Sequence, residues 1–367
     1  MGFTKRSRLS PIGLDIGDRC VRAAQLRFDR RERSSGTTTS IAALARLARP
    51  HGVSSDELNP RHLSDMFHTL ERQGFAGDDY VIAVPQRQLL SGVLEVPPRT
   101  SGAPIDVICR NELARTHRLE PDQIEAAWWE LPPPPVGTRG ETECAQALAV
   151  GCRTTDAEHW VEAFRDAGAN ICAIDARGPA LARAVAARAL DAPALTAVLE
   201  WSWESALIVV ARAGMIVYER HLPESGLAAA HAEMGRKLSI DADAAAHIIE
   251  QVGLGEAAGE LAEEPELIGQ AQRIIGEQID SLVLEIRAST AYAGRRLGNE
   301  VGRLIVCGDG ASVPEAMPRL GRRVEMPTEL ADPASLFESS PPMPTVQRAP
   351  SLAAALGLAA HPQEDRP

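Results

Sequence analysis

Lysine is almost missing from this chain: Lys5 and Lys237 are the only two in 367 residues. Neither stands in a G-x-x-x-x-G-K-[ST] segment, so a Walker-type phosphate loop is absent, and a Schiff-base lysine would have to be one of these two. The G-x-S-x-G and H-E-x-x-H signatures are absent as well, which removes the hydrolase elbow and the zinc-protease helix. Cys20, Cys109, Cys144, Cys152, Cys172 and Cys307 form no C-x-x-C pair and have no His at ligand spacing. Reduced thiols packed as small core residues are the expectation. No apolar run approaches the 18 residues of a membrane span; Ala206–Ala211 and Leu352–Ala360 are far too short. A net charge of −12 and a pI near 5.3 argue against general affinity for nucleic acid. The basic start, Met1 to Arg8, leads into a strand bearing Asp15 instead of an apolar core, so it is not expected to be a secretory signal.

What is present is an ordinary globular composition, 44% hydrophobic and 24% charged, over a length that suits two or more domains. The most informative stretch is Pro11–Leu26, PIGLDIGDRCVRAAQL. Ile12, Leu14 and Ile16 alternate with Gly13 and Asp15, the period of a half-buried strand, and Gly17-Asp18-Arg19 makes a turn into a second strand. Such a tip aims backbone N–H groups at one point, and Asp15 beside it has the chemistry to hold a hydrated Mg²⁺ next to a phosphate. The same residues equally describe a plain hairpin with a solvated acid.

Arg27–Ser40, charged and rich in Ser and Thr, reads as a long turn, with Ile41–Arg46 a third strand or an apolar edge. Asn59–Gly74 is an amphipathic helix through Leu63, Met66, Phe67 and Leu70, and Tyr80–Val84 a buried strand. Leu89–Val96, a helix at Ala103–Arg118, Ile124–Leu131 and Cys144–Cys152 make an α+β block, with a proline-rich loop over Pro132–Pro135. In that block Trp128 and Trp129 must face opposite sides of a strand, so one belongs to a core and the other to an edge or interface. Helices follow at Asp156–Ala167 and Pro179–Leu190, with a short strand between them, and Pro193 marks a boundary.

A second hairpin, Leu195–Val210 into Met215–Arg220, echoes the first: Leu199-Glu200-Trp201-Ser202 stands against Leu14-Asp15-Ile16-Gly17, which suggests an internal duplication. Ala229–Gly255 is a helical pair capped by Ser239 or Asp241, with His247 on its packed face. An acidic connector, Ala257–Glu266, precedes a strong helix over Arg273–Leu297. The strand Arg303–Cys307 then meets the turn Gly308-Asp309-Gly310-Ala311, which opens a helix over Val313–Leu320; either a tight connection or a nucleotide seat suits that turn. A last helix covers Ser351–Ala360, after a Pro-rich Ser339–Pro350.

Six segments in this order resemble the PilM family of type IV pilus assembly proteins, which is related to FtsA and to the cytoplasmic part of GspL. They are IGLDIGDRCVRAAQL from Ile12, VIAVPQRQLLSGVLEVP from Val81, DAGANICAIDARGPALARA from Asp166, IGEQIDSLVLEIRASTAY from Ile275, LIVCGDGA from Leu304, and APSLAAALGLAA near the end. The resemblance implies an α/β, actin-like, ribonuclease H-like duplicated fold of two halves around a cleft. Its expected divisions are 1–77, an inserted α+β subdomain at 78–153, a return at 154–192, the second half at 193–228 and 271–335 around a helical insertion at 229–270, a C-terminal segment at 336–362 on the first half, and a disordered 363–367. It also carries ATP-binding roles onto Asp15, Gly17, Asp18 and Arg19, onto Glu200 and Ser202, and onto Gly308, Gly310 and Ala311, with Mg²⁺ at Asp15.

The second hairpin departs from the family pattern of Asp-Ile-Gly followed by small hydroxyl residues, reading Glu200-Trp201-Ser202-Trp203-Glu204-Ser205. Where a positive φ is required, Ser in place of Gly costs about 1 kcal/mol. The Glu204 charge would oppose a phosphate held ~4 Å away by about 4 kcal/mol at an effective dielectric of ~20. The expectation is a degenerate nucleotide site with weak or absent ATP·Mg binding and no useful hydrolysis. The protein then reads as a cytoplasmic adaptor, peripheral at the inner membrane through its partners, that binds the N-terminal tail of PilN beside the inserted block and meets other platform and motor proteins. Leu89–Val96 and Ile124–Leu131 are the candidate edges for that tail. The alternatives are an actin-like ATPase, which needs an intact second hairpin, and a membrane-tethered filament protein, which needs an apolar C-terminal face that Gln363–Pro367 does not offer.

Overall fold

The computed structural model describes residues 7–17, 19–30, 37–49, 59–133, 144–186, 195–339 and 349–362. Of the stretches given readings above, 1–6, Asp18, 31–36, 134–135, 187–190, Pro193, 340–348 and the 363–367 tail lie outside the described residues.

The chain starts with β1 (Ser7–Leu9), β2 (Ile12–Ile16), β3 (Cys20–Arg30) and β4 (Thr37–Ala48). The stretch expected as a long turn is mostly strand, because Leu26, Phe28 and Ile41 pack on the core while Arg27 points out. That alternation outweighs the local charge. Next come α1 (Pro60–Arg72) and β5 (Asp79–Ala83). Asn59 caps α1 by accepting from the Arg61 N–H at 2.9 Å, with proline in the first turn.

β6 (Leu90–Val96), α2 (Ile105–Thr116), β7 (Ile124–Glu130) and β8 (Ala145–Arg153) form a separate unit with strand order β6-β8-β7. Leu94, Val96, Leu113 and Ala147 share its small core. The inserted block therefore begins later than residue 78, since β5 pairs with β2 and with β9 in the large sheet. The two tryptophans divide as strand alternation requires. Trp128 packs with α2 and donates to Asp106, while Trp129 turns to the second half and donates to the Ile216 carbonyl at 3.3 Å. Then α3 (Thr154–Asp166), β9 (Asn170–Asp175) and α4 (Arg177–Ala186) complete the first half.

The second half runs through β10 (Leu195–Trp201), β11 (Ala206–Arg212), β12 (Met215–Leu222), α5 (Leu227–Leu238), α6 (Ala242–His247), α7 (Pro265–Leu297), β13 (Val301–Cys307), α8 (Ala316–Val324) and β14 (Thr328–Leu330). After α9 (Pro333–Leu336), β15 (Glu338–Ser339) crosses back to pair with β4, and α10 (Ala353–Ala359) ends the fold.

The central strands of the two large sheets read β4-β3-β2-β5-β9 and β12-β11-β10-β13-β14. Counted within its own half, each is 3-2-1-4-5, with antiparallel pairing among the first three strands and parallel pairing beyond. The duplication suggested by four residues of sequence is a duplication of topology.

Four local expectations are corrected. α7 starts at Pro265, eight residues early, because Ile268 and Ala271 are buried and draw the polar turn into the helix. His247 is exposed; Ala245, Ile248 and Ile249 are buried instead. The wide π turn at Ile248–Val252 accompanies that change of face. The Gly308–Ala311 turn opens a 3₁₀ turn over Asp309–Ser312, and the helix α8 begins only at Ala316. Finally α4 starts at Arg177, two residues before Pro179, which places a guanidinium at the cleft. The small residues of α10 let it lie directly on the first sheet. A Cβ on Gly13 would sit 2.2 Å from the Ala355 carbonyl oxygen, and one on Gly357 would sit 1.8 Å from that of Ala180.

Candidate functional site: a cleft closed by ion pairs

The two hairpins face each other across the halves, and their tips are closed in the same way. The Gly17 N–H donates to the Cys20 carbonyl at 3.0 Å, and the Ser202 N–H donates to the Ser205 carbonyl at 3.0 Å. Asp15 and Glu200 are thus equivalent, as are Gly17 and Ser202. Ser202 is not among the described residues with positive φ, so the strain cost raised for a side chain there does not arise. The obstruction is of another kind: the Glu204 carboxylate reaches within 3.9 Å of where a Gly17 Cβ would be.

Strand register builds the first wall. Asp15 lies opposite Arg22, and Arg22 opposite Arg46, so the three side chains share one face of adjacent strands. Asp15 is 1% exposed, and both its oxygens are taken. Oδ2 accepts from Arg22 Nη1 at 3.2 Å, and Oδ1 accepts from Arg177 Nε at 2.9 Å, with Arg177 Nη2 in ion-pair contact at 2.9 Å. Arg22 continues across the cleft, donating from Nη2 to Asp309 Oδ2 at 2.6 Å, and Arg46 approaches Asp309 Oδ1 at 3.5 Å. An unbroken chain, Arg177–Asp15–Arg22–Asp309–Arg46, therefore ties the first half to the glycine turn of the second. Burial pushes the Asp15 pKa up, but Arg177 and Arg22 together hold it below the ordinary value. Glu200, 5% exposed, has the opposite fate: burial pushes it up to about 7, with Arg177 opposing and Asp15 adding to the rise.

These residues do not fit a divalent cation. The acid expected to hold Mg²⁺ already neutralises two guanidinium groups, whose charges would repel a metal. Among the described residues no group of three or more His, Cys, Asp or Glu side chains could hold a metal ion. Asp15, expected to hold Mg²⁺, is engaged in this structure by Arg22 and Arg177 as part of an ion-pair chain.

The other expected positions fall around the same cleft, several with a packing role. Gly310 is buried under the Trp201 indole, where a Cβ would lie 2.1 Å from the ring, and Gly308 adopts φ +88 beside the Trp201 backbone. Ala311 is buried in the second core. The first N–H groups of α5 are also occupied: Leu227 donates to the Ser202 carbonyl and Ala228 to that of Trp203. At the mouth, Arg19 stacks on Trp203 with its guanidinium carbon 3.9 Å from the ring centroid, and pairs with Glu250 of the helical insertion at 2.9 Å.

Between Arg19, Arg46, Trp203, Asp309 and Ser351 a hollow of about 190 Å³ remains. That is below the roughly 300 Å³ at which ligand pockets begin. Sequence reasoning missed Arg22, Arg46 and Arg177. The signal for two of them was the strand register opposite Asp15; for Arg177, 162 residues away, there was none.

No protein-family profile matches the chain, and no curated protein sequence does. Among solved structures, a PilM–PilN type IV pilus biogenesis complex matches with TM-score 0.74 at 20% identity, over 96% of this chain and 98% of the matched one. The ethanolamine utilization protein EutJ of Carboxydothermus hydrogenoformans matches at TM-score 0.49 and 14% identity, over 96% and 89%. MreB 5 of Spiroplasma citri, solved with AMPPNP, matches at 0.47 and 12%, over 98% and 96%. The likeness to the first establishes the fold, the actin-like pair of halves that the repeated sheet order displays.

Proposed function

We propose that this chain is a cytoplasmic adaptor at the inner-membrane platform of a type IV pilus or related type II secretion machine. In this reading it binds the N-terminal tail of a PilN-like membrane protein, meets other platform and motor proteins through that assembly, and reaches the membrane only through its partners. Its nucleotide cleft serves as a structural joint. The observation that carries the reading is the buried chain from Arg177 through Asp15 and Arg22 to Asp309, in a fold like that of the PilM–PilN complex.

In this reading the chain's own groups take over the joining of the halves from a nucleotide and its metal. Arg22 is the cation beside Asp15, and the Asp309 and Glu204 carboxylates are the anions. Closure by the chain's own buried charges suits a platform better than a hydrolytic cycle. No helix among the described residues is long and apolar enough to cross a membrane, consistent with attachment through a partner.

The tail would add to an edge of the three-stranded sheet by strand pairing. Both β6 and β7 are edges, but Trp129 commits β7 to the second half. β6 is the better platform, with Val93 54% exposed beside the sheet. Isothermal titration of the folded protein with a PilN-like N-terminal peptide tests this. Binding weakened about tenfold by Val93→Glu is expected, since a buried apolar contact of ~1.5 kcal/mol would be lost. Absence of binding by folded wild-type protein would overturn the adaptor reading.

A further inference from the structure

The cleft lies at the C-terminal ends of the parallel strands β2, β5 and β9. Their N-terminal ends open onto a second hollow, of about 570 Å³. This lies inside the roughly 300–1,000 Å³ range of ligand pockets, three times the volume left in the cleft. Ile12 and Tyr80 contribute from the starts of β2 and β5, Ala169 from the turn before β9, and Phe67 and Phe75 from α1 and the turn that follows it. The aromatic floor is fixed by mutual contact. Phe67 lies 4.7 Å from Tyr80, and Phe164 beneath them lies 5.4 and 5.7 Å from the two rings.

One side of the rim is the turn between α1 and β5, and it is held from below. Gln25, 1% exposed, donates to the Ala76 carbonyl at 2.6 Å and accepts from the Ala76 N–H at 3.0 Å. Burying an amide to satisfy both backbone groups of one turn residue makes the rim a preformed feature. Its charge has one sign. Glu71 and Asp78 stand on it, both exposed, and among the described residues no Lys or Arg lines the hollow. His68, the one basic side chain there among the described residues, faces Glu71 at 3.9 Å. Burial raises the pKa of the Tyr80 phenol, and the Asp78 and Glu71 carboxylates add to the rise.

We propose that this hollow docks a cationic side chain, Arg or Lys, carried on an apolar stretch of a partner protein. A guanidinium or ammonium group would meet carboxylates at the rim and the ring of the half-buried Phe67 below, the combination that favours cations. The apolar residues next to it would pack on Phe67 at the mouth of the hollow. An acidic ligand would be repelled, and a neutral one would forgo both electrostatic contributions. The site uses no residue of β6, β7 or β8 and lies at the opposite end of the sheet from the cleft, so it stands apart from the tail-binding edge and from any nucleotide.

The test is a titration of the full chain with acetyl-Phe-Arg-amide, acetyl-Phe-Gln-amide and acetyl-Phe-Glu-amide, followed by saturation-transfer NMR. The Arg peptide is expected to bind about fivefold more tightly than the Gln peptide, the size that two partly exposed charge pairs confer, and the Glu peptide more weakly than either. In a Glu71→Gln/Asp78→Asn variant the three affinities should converge, with an unchanged melting temperature because both side chains are exposed. No transfer to any peptide in the wild type, no preference for Arg, or a preference that survives the double substitution would overturn the proposal.

Discussion

Replacing Arg22 with Met tests the ion-pair chain at its centre. The guanidinium is 5% exposed and bonds Asp15 at 3.2 Å and Asp309 at 2.6 Å, so it joins the halves at a point that water hardly reaches. Methionine keeps most of the apolar stem and removes the charge. Asp15 would retain Arg177, and Asp309 would retain only the half-exposed Arg46 at 3.5 Å. Breaking a buried pair by removing one partner costs about 3–5 kcal/mol, and the surviving Arg177 contact places the expected loss near the lower end, about 3 kcal/mol. At about 2.1 cal/mol/K per residue, unfolding this chain carries an entropy near 0.8 kcal/mol/K, which turns that loss into a melting shift of about 4 °C. Circular dichroism melts of the two proteins at pH 7.5 give the number directly. Repeating them in 0.5 M NaCl separates the cause, since screening weakens exposed pairs far more than buried ones and the difference should persist. An Arg22→Met protein that melts with the wild type, or a difference that salt abolishes, would refute the reasoning.

Glu200→Gln should change the pH dependence of stability. Its folded pKa, about 7, lies above the unfolded value, so its contribution is most favourable below about pH 4.5 and is lost as pH rises through 7. The variant should gain on the order of 3 kcal/mol over wild type at pH 8 and nothing at pH 4, read from urea unfolding at the two values. Asp15 has the opposite sign: its depressed pKa contributes stability above pH 4 that disappears as pH falls further, so Asp15→Asn should narrow its deficit to wild type in acid melts. Gly13→Ala should destabilise by about 1–3 kcal/mol, because the added methyl would overlap the backbone of α10, and thermal melts should show it. Arg19→Ala, by contrast, removes a partly exposed pair and stack and should cost no more than about 1 kcal/mol in the same assay.

The architecture was legible because it rests on periodicity. The strand alternation of Ile12, Leu14 and Ile16, and its echo at Leu199 and Trp201, marked the opening element of each half, and the repeated sheet order follows from those two hairpins. Errors arose where burial overrides local character. Charged residues in Arg27–Ser40 disguised strands whose other face is apolar, and acidic residues before Pro265 disguised two helical turns that the core covers through Ile268 and Ala271. The expected site positions do fall around one cleft, but their contacts were not legible. Asp15 reads as a metal ligand when only its own hairpin is in view, and the structure adds an ion pair with Arg177, which arrives from another strand-to-helix junction. Gly310 reads as a seat for a ligand, yet the ring it makes room for is Trp201 of the same chain.

The central claim is that the halves are joined by the protein's own charges, in a cleft with about 190 Å³ left over. Calorimetric titration with ATP·Mg²⁺ tests it most directly. The account predicts no saturable heat at micromolar concentrations and no rise in melting temperature at millimolar nucleotide. A dissociation constant in the low micromolar range would contradict it.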